Sequence, residues 1–249
     1  MRLATILLVL VGLLGGCSLL PDQIDETKDW SAQKLYSEAK SSLDESDWER
    51  SIDLFEKLEA RYPFGRYAQQ ALLESAYAYY KFDEPESAIA SVDRFIKTYP
   101  RHPNLDYAYY LRGLVNFNRG DSLIDRVAPR DPSERDAGAA RQAYFDFAEL
   151  VKRFPKSRYA EDAGQRMVYL RNNLAQYEMH VADYYMRRGA YVAAANRAKQ
   201  VIESYEGTPA VPVALETLVQ AYRKLGLDDL AADAERVLKL NYPDRVVNL

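Results

Sequence analysis

The sequence predicts an all-α protein built as a stack of about five helical hairpins, and three observations predict it. Turn-formers are few for 249 residues, with Gly 11 and Pro 11, whereas Tyr reaches 20. A short turn phrase recurs along the chain: Arg61-Tyr62-Pro63-Phe64, Thr98-Tyr99-Pro100-Arg101, Arg153-Phe154-Pro155-Lys156, Ser204-Tyr205-Glu206-Gly207 and Asn241-Tyr242-Pro243. Its aromatic positions lie 37, 55, 51 and 37 residues apart. Two of these intervals suit a helical-hairpin repeat of roughly 34 residues with a slightly longer turn, and two suit the same unit with an insertion. Each phrase also closes a segment with apolar residues at helical spacing.

The first element is processing information rather than fold. Arg2 precedes an apolar run of 12 residues, Leu3 to Leu14. A spanning helix needs roughly 17–25 apolar residues, so this run is short for one. It ends in Leu14-Gly15-Gly16-Cys17, which resembles the bacterial lipobox, where the cysteine thiol is lipidated and the chain is cut before that residue. The expectation is a signal peptide over 1–16, covalent lipid on Cys17 and a tether over 17–30. The alternative is an ordinary secretory signal with a chance cysteine. Several acyl chains anchor stably where one does not. Ser18, rather than Asp, follows the cysteine, which in such lipoproteins favours the outer membrane. The formal charge of −4 lacks the concentrated basic face of a nucleic-acid binder.

The helices follow. Ile52, Phe55 and Leu58 precede the first phrase; Ile89, Val92, Phe95 and Ile96 the second; Ala143, Phe147 and Leu150 the third; Ala194, Ala198, Val201 and Ile202 the fourth; Ala231, Ala234 and Leu238 the last. Proline after the final turn cannot continue a helix and acts as a stop. With Pro63 and Pro100 set at the same repeat position, small residues fall where two helices must approach closely: Ala39 and Ala76, then Ser51 and Ala88. Leu35 and Leu72 take a large apolar position. This pattern resembles tetratricopeptide repeats over roughly 31–243, and implies a right-handed superhelical stack. The third unit is interrupted. Its first helix is expected over 106–119 and its second over 133–154. Asp121 to Arg130 form a loop between them, and Asp131-Pro132-Ser133-Glu134 forms a helix start. From Tyr159 to Arg188 there is no helix stop, so one long helix ending at Gly189 is expected. The chain thus divides into 31–120, a loop over 121–136, and 137–249.

No catalytic constellation is present in the sequence. His102 and His180 are isolated, with no second ligand at metal spacing. Asp228-Asp229 and Glu84-Pro85-Glu86 stand at helix starts, where carboxylates favour the dipole. No glycine loop cradles phosphate. A binding protein with no cofactor other than its lipid is expected.

Tetratricopeptide arrays line their inner wall with first helices. Aligned to that pattern, the wall would carry Tyr36, Gln70, Leu73, Tyr77, Tyr80, Tyr107, Tyr110 and Phe117. Tyr62 and Phe64 of the first turn phrase complete the candidate groove. Tyrosine offers large contact area at low entropic cost, with a polar tip. The alternative is that these rings pack between helices.

Longer phrases carry a closer resemblance. Arg61-Tyr62-Pro63-Phe64-Gly65, Asp93-Arg94-Phe95-Ile96, His102-Pro103-Asn104-Leu105-Asp106-Tyr107, Leu111-Arg112-Gly113-Leu114 and Arg188-Gly189-Ala190-Tyr191-Val192-Ala193 resemble the BamD family. These are lipoproteins of the outer-membrane β-barrel assembly machinery. The resemblance implies a scaffold on the periplasmic face that docks on the periplasmic domains of the barrel-forming assembly protein and binds accessory lipoproteins. It also implies that the N-terminal half receives unfolded outer-membrane proteins. Arg197, shortly after the last phrase, matches the family's docking arginine, and Arg188 and Tyr191 of that phrase are further docking candidates. Asp121 to Arg130 match no family motif. The alternatives are a pilotin-type lipoprotein chaperone for a secretin or pilus, and a cell-wall enzyme.

Overall fold

The computed structural model describes residues 25–119 and 137–245. The signal segment, Cys17, the 121–130 loop and the helix start at Asp131 lie outside the described residues. Among the described residues there are ten helices and no strand. They are α1 (Ala32–Asp44), α2 (Trp48–Arg61), α3 (Arg66–Lys81), α4 (Pro85–Thr98), α5 (Leu105–Asn118), α6 (Ala137–Arg153), α7 (Ala160–Arg187), α8 (Tyr191–Ser204), α9 (Val211–Lys224) and α10 (Asp228–Asn241). They pair into the five expected hairpins. α5 begins one residue before the expected start, within the normal scatter of helix ends.

The recurring aromatic is the C-cap of each hairpin's second helix. Tyr62, Tyr99, Phe154, Tyr205 and Tyr242 each donate a backbone N–H to the carbonyl four residues back, on Leu58, Phe95, Leu150, Val201 and Leu238. The caps leave helical geometry, as at Tyr62 with φ −129 and ψ 64. Proline next in sequence disfavours helical geometry in the residue before it, which explains four of the five. At the fourth, Gly207 turns the chain instead, at φ 73.

Each helix packs mainly on its sequence neighbours. The main further contacts join α1 to α3, α3 to α5, and α7 to α9, all first helices of their hairpins. One wall of the stack is therefore made of first helices, as the repeat pattern requires. The small positions behave as expected: Ala39, Ala76, Ser51 and Ala88 are fully buried. Ser51 also donates its hydroxyl to the Ala39 carbonyl at 3.0 Å, tying α2 to α1.

Among the described residues the core forms three clusters along the stack. Leu35, Phe55 and Leu58 centre the first. Phe95, Leu111, Phe147 and Leu150 centre the second. Val201, Leu215 and Leu238 centre the third. The long helix α7 spans 28 residues, about 42 Å at 1.5 Å per residue. Its Ala163 and Leu170 belong to the middle cluster, and its Ala175, Met179 and Ala182 to the last. It therefore splices the two halves, and it ends at Gly189, where φ is 72.

Of the tether expected over 17–30, the described part is not a free spacer. The Arg61 guanidinium binds the Thr27 carbonyl, the Thr27 hydroxyl at 3.0 Å and the Asp25 carboxylate. The Tyr62 hydroxyl donates to the Trp30 carbonyl at 2.9 Å. The segment entering α1 is thereby fastened to the end of α2.

Candidate peptide groove and docking surface

A cavity of about 880 Å³ opens along the first helices of the N-terminal three hairpins. Lys40 and Leu43 of α1, then Gln70, Leu73, Glu74 and Tyr77 of α3, form one side. The turn ahead of α5, Tyr107, and the turn Lys156–Tyr159 form the other. The helix spacing of α3 explains its share: 70, 73, 74 and 77 fall on one face. Four residues expected in the groove meet here, Gln70, Leu73, Tyr77 and Tyr107.

Other expected residues build the wall behind it. The Tyr36 hydroxyl donates to Glu74 at 3.0 Å. Burial, reinforced by Glu74, pushes its phenol well above the usual range. Glu74 in turn pairs with Lys40 at 3.0 Å, so α1 and α3 share a polar seam at the cavity edge. Tyr80 lies 6.4 Å from Tyr77, ring to ring, and its hydroxyl accepts from Asn118. Burial also raises the phenol of Tyr107.

Tyr110 and Phe117 belong to a second aromatic layer between α5, α6 and α7. Tyr110 stacks on Tyr159 at 4.6 Å and donates its hydroxyl to Asp162 at 2.7 Å. Phe117 packs against Phe147 and Tyr169, under the Arg166 guanidinium. Packing between helices is their role in this structure. Tyr62 and Phe64 sit in the α2–α3 turn and do not line the cavity. Phe64 is 89% exposed.

Glu74, Asp106 and the 156–159 turn were not expected at the site. The turn is 49 residues beyond Tyr107; it follows α6, which packs on α5, and its Tyr159 ring meets Tyr107 and Tyr110. Hairpin spacing returns the chain to this end of α5 but does not say which of its side chains line the cavity.

The docking candidates diverge. Arg197 on α8 donates from Nη1 to Glu178 Oε2 of α7 at 2.8 Å, and this bond raises the guanidinium's pKa against the effect of its burial. Arg197 borders a cavity of about 370 Å³ with Tyr185, Ala193, Asn196 and Gln200. Arg188 caps α7, its N–H on the Tyr184 carbonyl at 3.2 Å and its side chain over the Tyr184 ring. Tyr191 starts α8 and packs on the C-terminal core. Neither lines the Arg197 cavity. Glu178 was missed, although a sign existed: it stands on the apolar face of α7 with Leu174, Ala175, Met179 and Ala182. A charged residue in core register demands a partner.

Among the described residues, no three acidic, histidine or cysteine side chains gather as a metal site, and no helix is long and apolar enough to cross a membrane.

Sequential helical hairpins with a wall of first helices define a tetratricopeptide-type repeat protein. Residues 28–238 match the family model YfiO, outer membrane lipoprotein, and the chain belongs to this BamD family of outer membrane lipoproteins. It is 54% identical over 217 residues to the outer membrane protein assembly factor BamD of Neisseria meningitidis serogroup B, covering 87% of this chain and 81% of that protein. It is 38% identical over 234 residues to the BamD of Vibrio cholerae serotype O1, covering 94% and 96%. Among solved structures it is similar to a tetratricopeptide protein of Thermus thermophilus, with 17% identity, TM-score 0.39, and 86% and 92% of the two chains covered.

Proposed function

We propose that this chain is a non-catalytic scaffold and substrate receptor of the outer-membrane β-barrel assembly complex, held on the periplasmic face of the outer membrane by lipid on Cys17. The observation that carries this reading is membership of a family whose curated relatives are named outer membrane protein assembly factors. The cavity supports the receptor part. Its ligand is an unfolded outer-membrane protein, whose C-terminal signal strand alternates apolar residues and ends in an aromatic. Leu43, Leu73 and the rings of Tyr77 and Tyr107 offer apolar contact for alternate side chains. Gln70 and the Lys40–Glu74 pair offer partners for backbone groups. Extended peptides are recognised by this combination.

The C-terminal half docks on the periplasmic domains of the barrel-forming assembly protein through Arg197, and accessory lipoproteins bind the same scaffold. An arginine is suited to a carboxylate partner because its planar fork holds both oxygens. The test is a detergent pull-down on tagged full-length protein, comparing wild type with Arg197→Glu. The barrel-forming protein is expected with wild type and lost with the variant. Recovery of a secretin, or of no partner, would overturn the assembly reading. For the groove, Tyr77→Ala and Tyr107→Ala are expected to reduce photo-crosslinking to a peptide copying such a signal strand. Unchanged crosslinking in both would remove the cavity as the receptor site.

A further inference from the structure

Beneath Arg197 lies an ion cluster that joins three helices. Glu178 is 1% exposed on the inner face of α7. A carboxylate taken out of water must be compensated by charge or hydrogen bonds. Its two oxygens face different helices. Oε2 accepts from Arg197 Nη1 of α8 at 2.8 Å, and Oε1 lies 3.8 Å from Arg141 Nη2 of α6. One negative charge is thus shared by two positive ones from neighbouring hairpins. The three charges leave one positive charge over. Arg197 is the member on the 370 Å³ cavity, with its side chain 39% exposed.

We infer that Arg141 is a positioning residue for docking, acting on Arg197 through Glu178. This rests on the reading of Arg197 as the docking arginine. Glu178 fixes the direction in which the Arg197 guanidinium is presented, which spares the interface the entropy of ordering a long side chain. Alone with Arg197, Glu178 would also neutralise it, and the cavity would hold a closed ion pair. Arg141 draws part of that negative charge toward α6, so Arg197 keeps positive charge to offer. A carboxylate from the partner then completes an alternating row of Arg141, Glu178, Arg197 and the incoming acid. That row is neutral when buried, the condition under which buried ions are tolerated.

The experiment measures binding of full-length protein in detergent to the periplasmic domains of the barrel-forming assembly protein from the same source. Arg141→Gln is expected to weaken binding about fivefold at low salt, chiefly through a slower on-rate, as for loss of a steering charge. Arg141→Lys is expected to restore it to within about twofold by keeping the charge. In a Glu178→Gln background, Arg141→Gln should have no further effect, because the coupling runs through that carboxylate. Wild-type binding by Arg141→Gln, or an equal loss with and without Glu178, would overturn the inference. If Arg197→Gln itself binds like wild type, the docking reading fails instead and takes the inference with it. Should Glu178→Gln not fold, as judged by its helical thermal transition, the Gln and Lys variants at the half-exposed Arg141 decide the matter alone.

Discussion

At Gly113 there is no room for a methyl group. A Cβ built there would lie 2.5 Å from Phe147 Cε1 and 2.6 Å from Cδ1, and Phe147 is fully buried. Gly113 is the third repeat's equivalent of Ala39 and Ala76, and here a large ring fills the space that alanine's methyl uses elsewhere. Gly113→Ala is expected to cost about 1–3 kcal/mol through overpacking, read from urea unfolding. Combining it with Phe147→Leu should recover part of the loss, and purely additive losses would show that the clash is not with that ring. That Gly113 faces Phe147 was not legible in the sequence, because the ring arrives from α6, 34 residues further along the chain. Buried Asp146 teaches the same lesson on α6. It accepts from Asn116 at 2.8 Å and Gln142 at 3.1 Å, with Arg112 Nε 2.9 Å away, and burial still pushes its carboxyl above the usual range.

At the scale of the helix, the ends were more legible than the faces. Aromatic caps and prolines mark the stops because their action is local. Gly189 is local in the same sense: it ends α7 in the left-handed region, where a side chain is strained. Gly189→Ala is expected to destabilise the protein by about 1 kcal/mol, with a lower thermal midpoint. Gly164, inside α7 with open space around it, provides the control. Gly164→Ala should stabilise by up to about 1 kcal/mol, since glycine weakens a helix interior. An equal response at the two sites would refute this account of the α7 terminus. Which face each helix turns inward was only partly legible. Tyr77 and Tyr107 face the cavity, whereas Tyr110 and Phe117, expected on the same wall, are covered by α7 and the turn before it.

Across the whole molecule, packing passes from neighbour to neighbour, and stability in such arrays is nearly a sum of hairpin and interface contributions. The ends have fewer neighbours. Amides of α1 and α10 are therefore expected to exchange hydrogen faster than those of α5 and α7, which lie inside the stack. Uniform protection along the chain would mean that it opens only as one unit. The Arg61 clasp on Asp25 and Thr27 bears on this at the N-terminal end, and Arg61→Ala should speed exchange in α1 and α2 while leaving α9 unchanged.

The sequence by itself determined the all-helical class, five hairpins, their stops and the small residues at close contacts. Each of these follows from periodicity or from residues adjacent in the chain, and the resemblance of its longer phrases pointed to the family. Only the tertiary structure decided which tyrosines border the cavity and which are covered. It also decided that the 156–159 turn joins the site, and that Arg197 rests on a buried glutamate shared with Arg141. Those facts depend on which helices come together across dozens of residues, and one chain's spacing does not record how α7 lies against its neighbours.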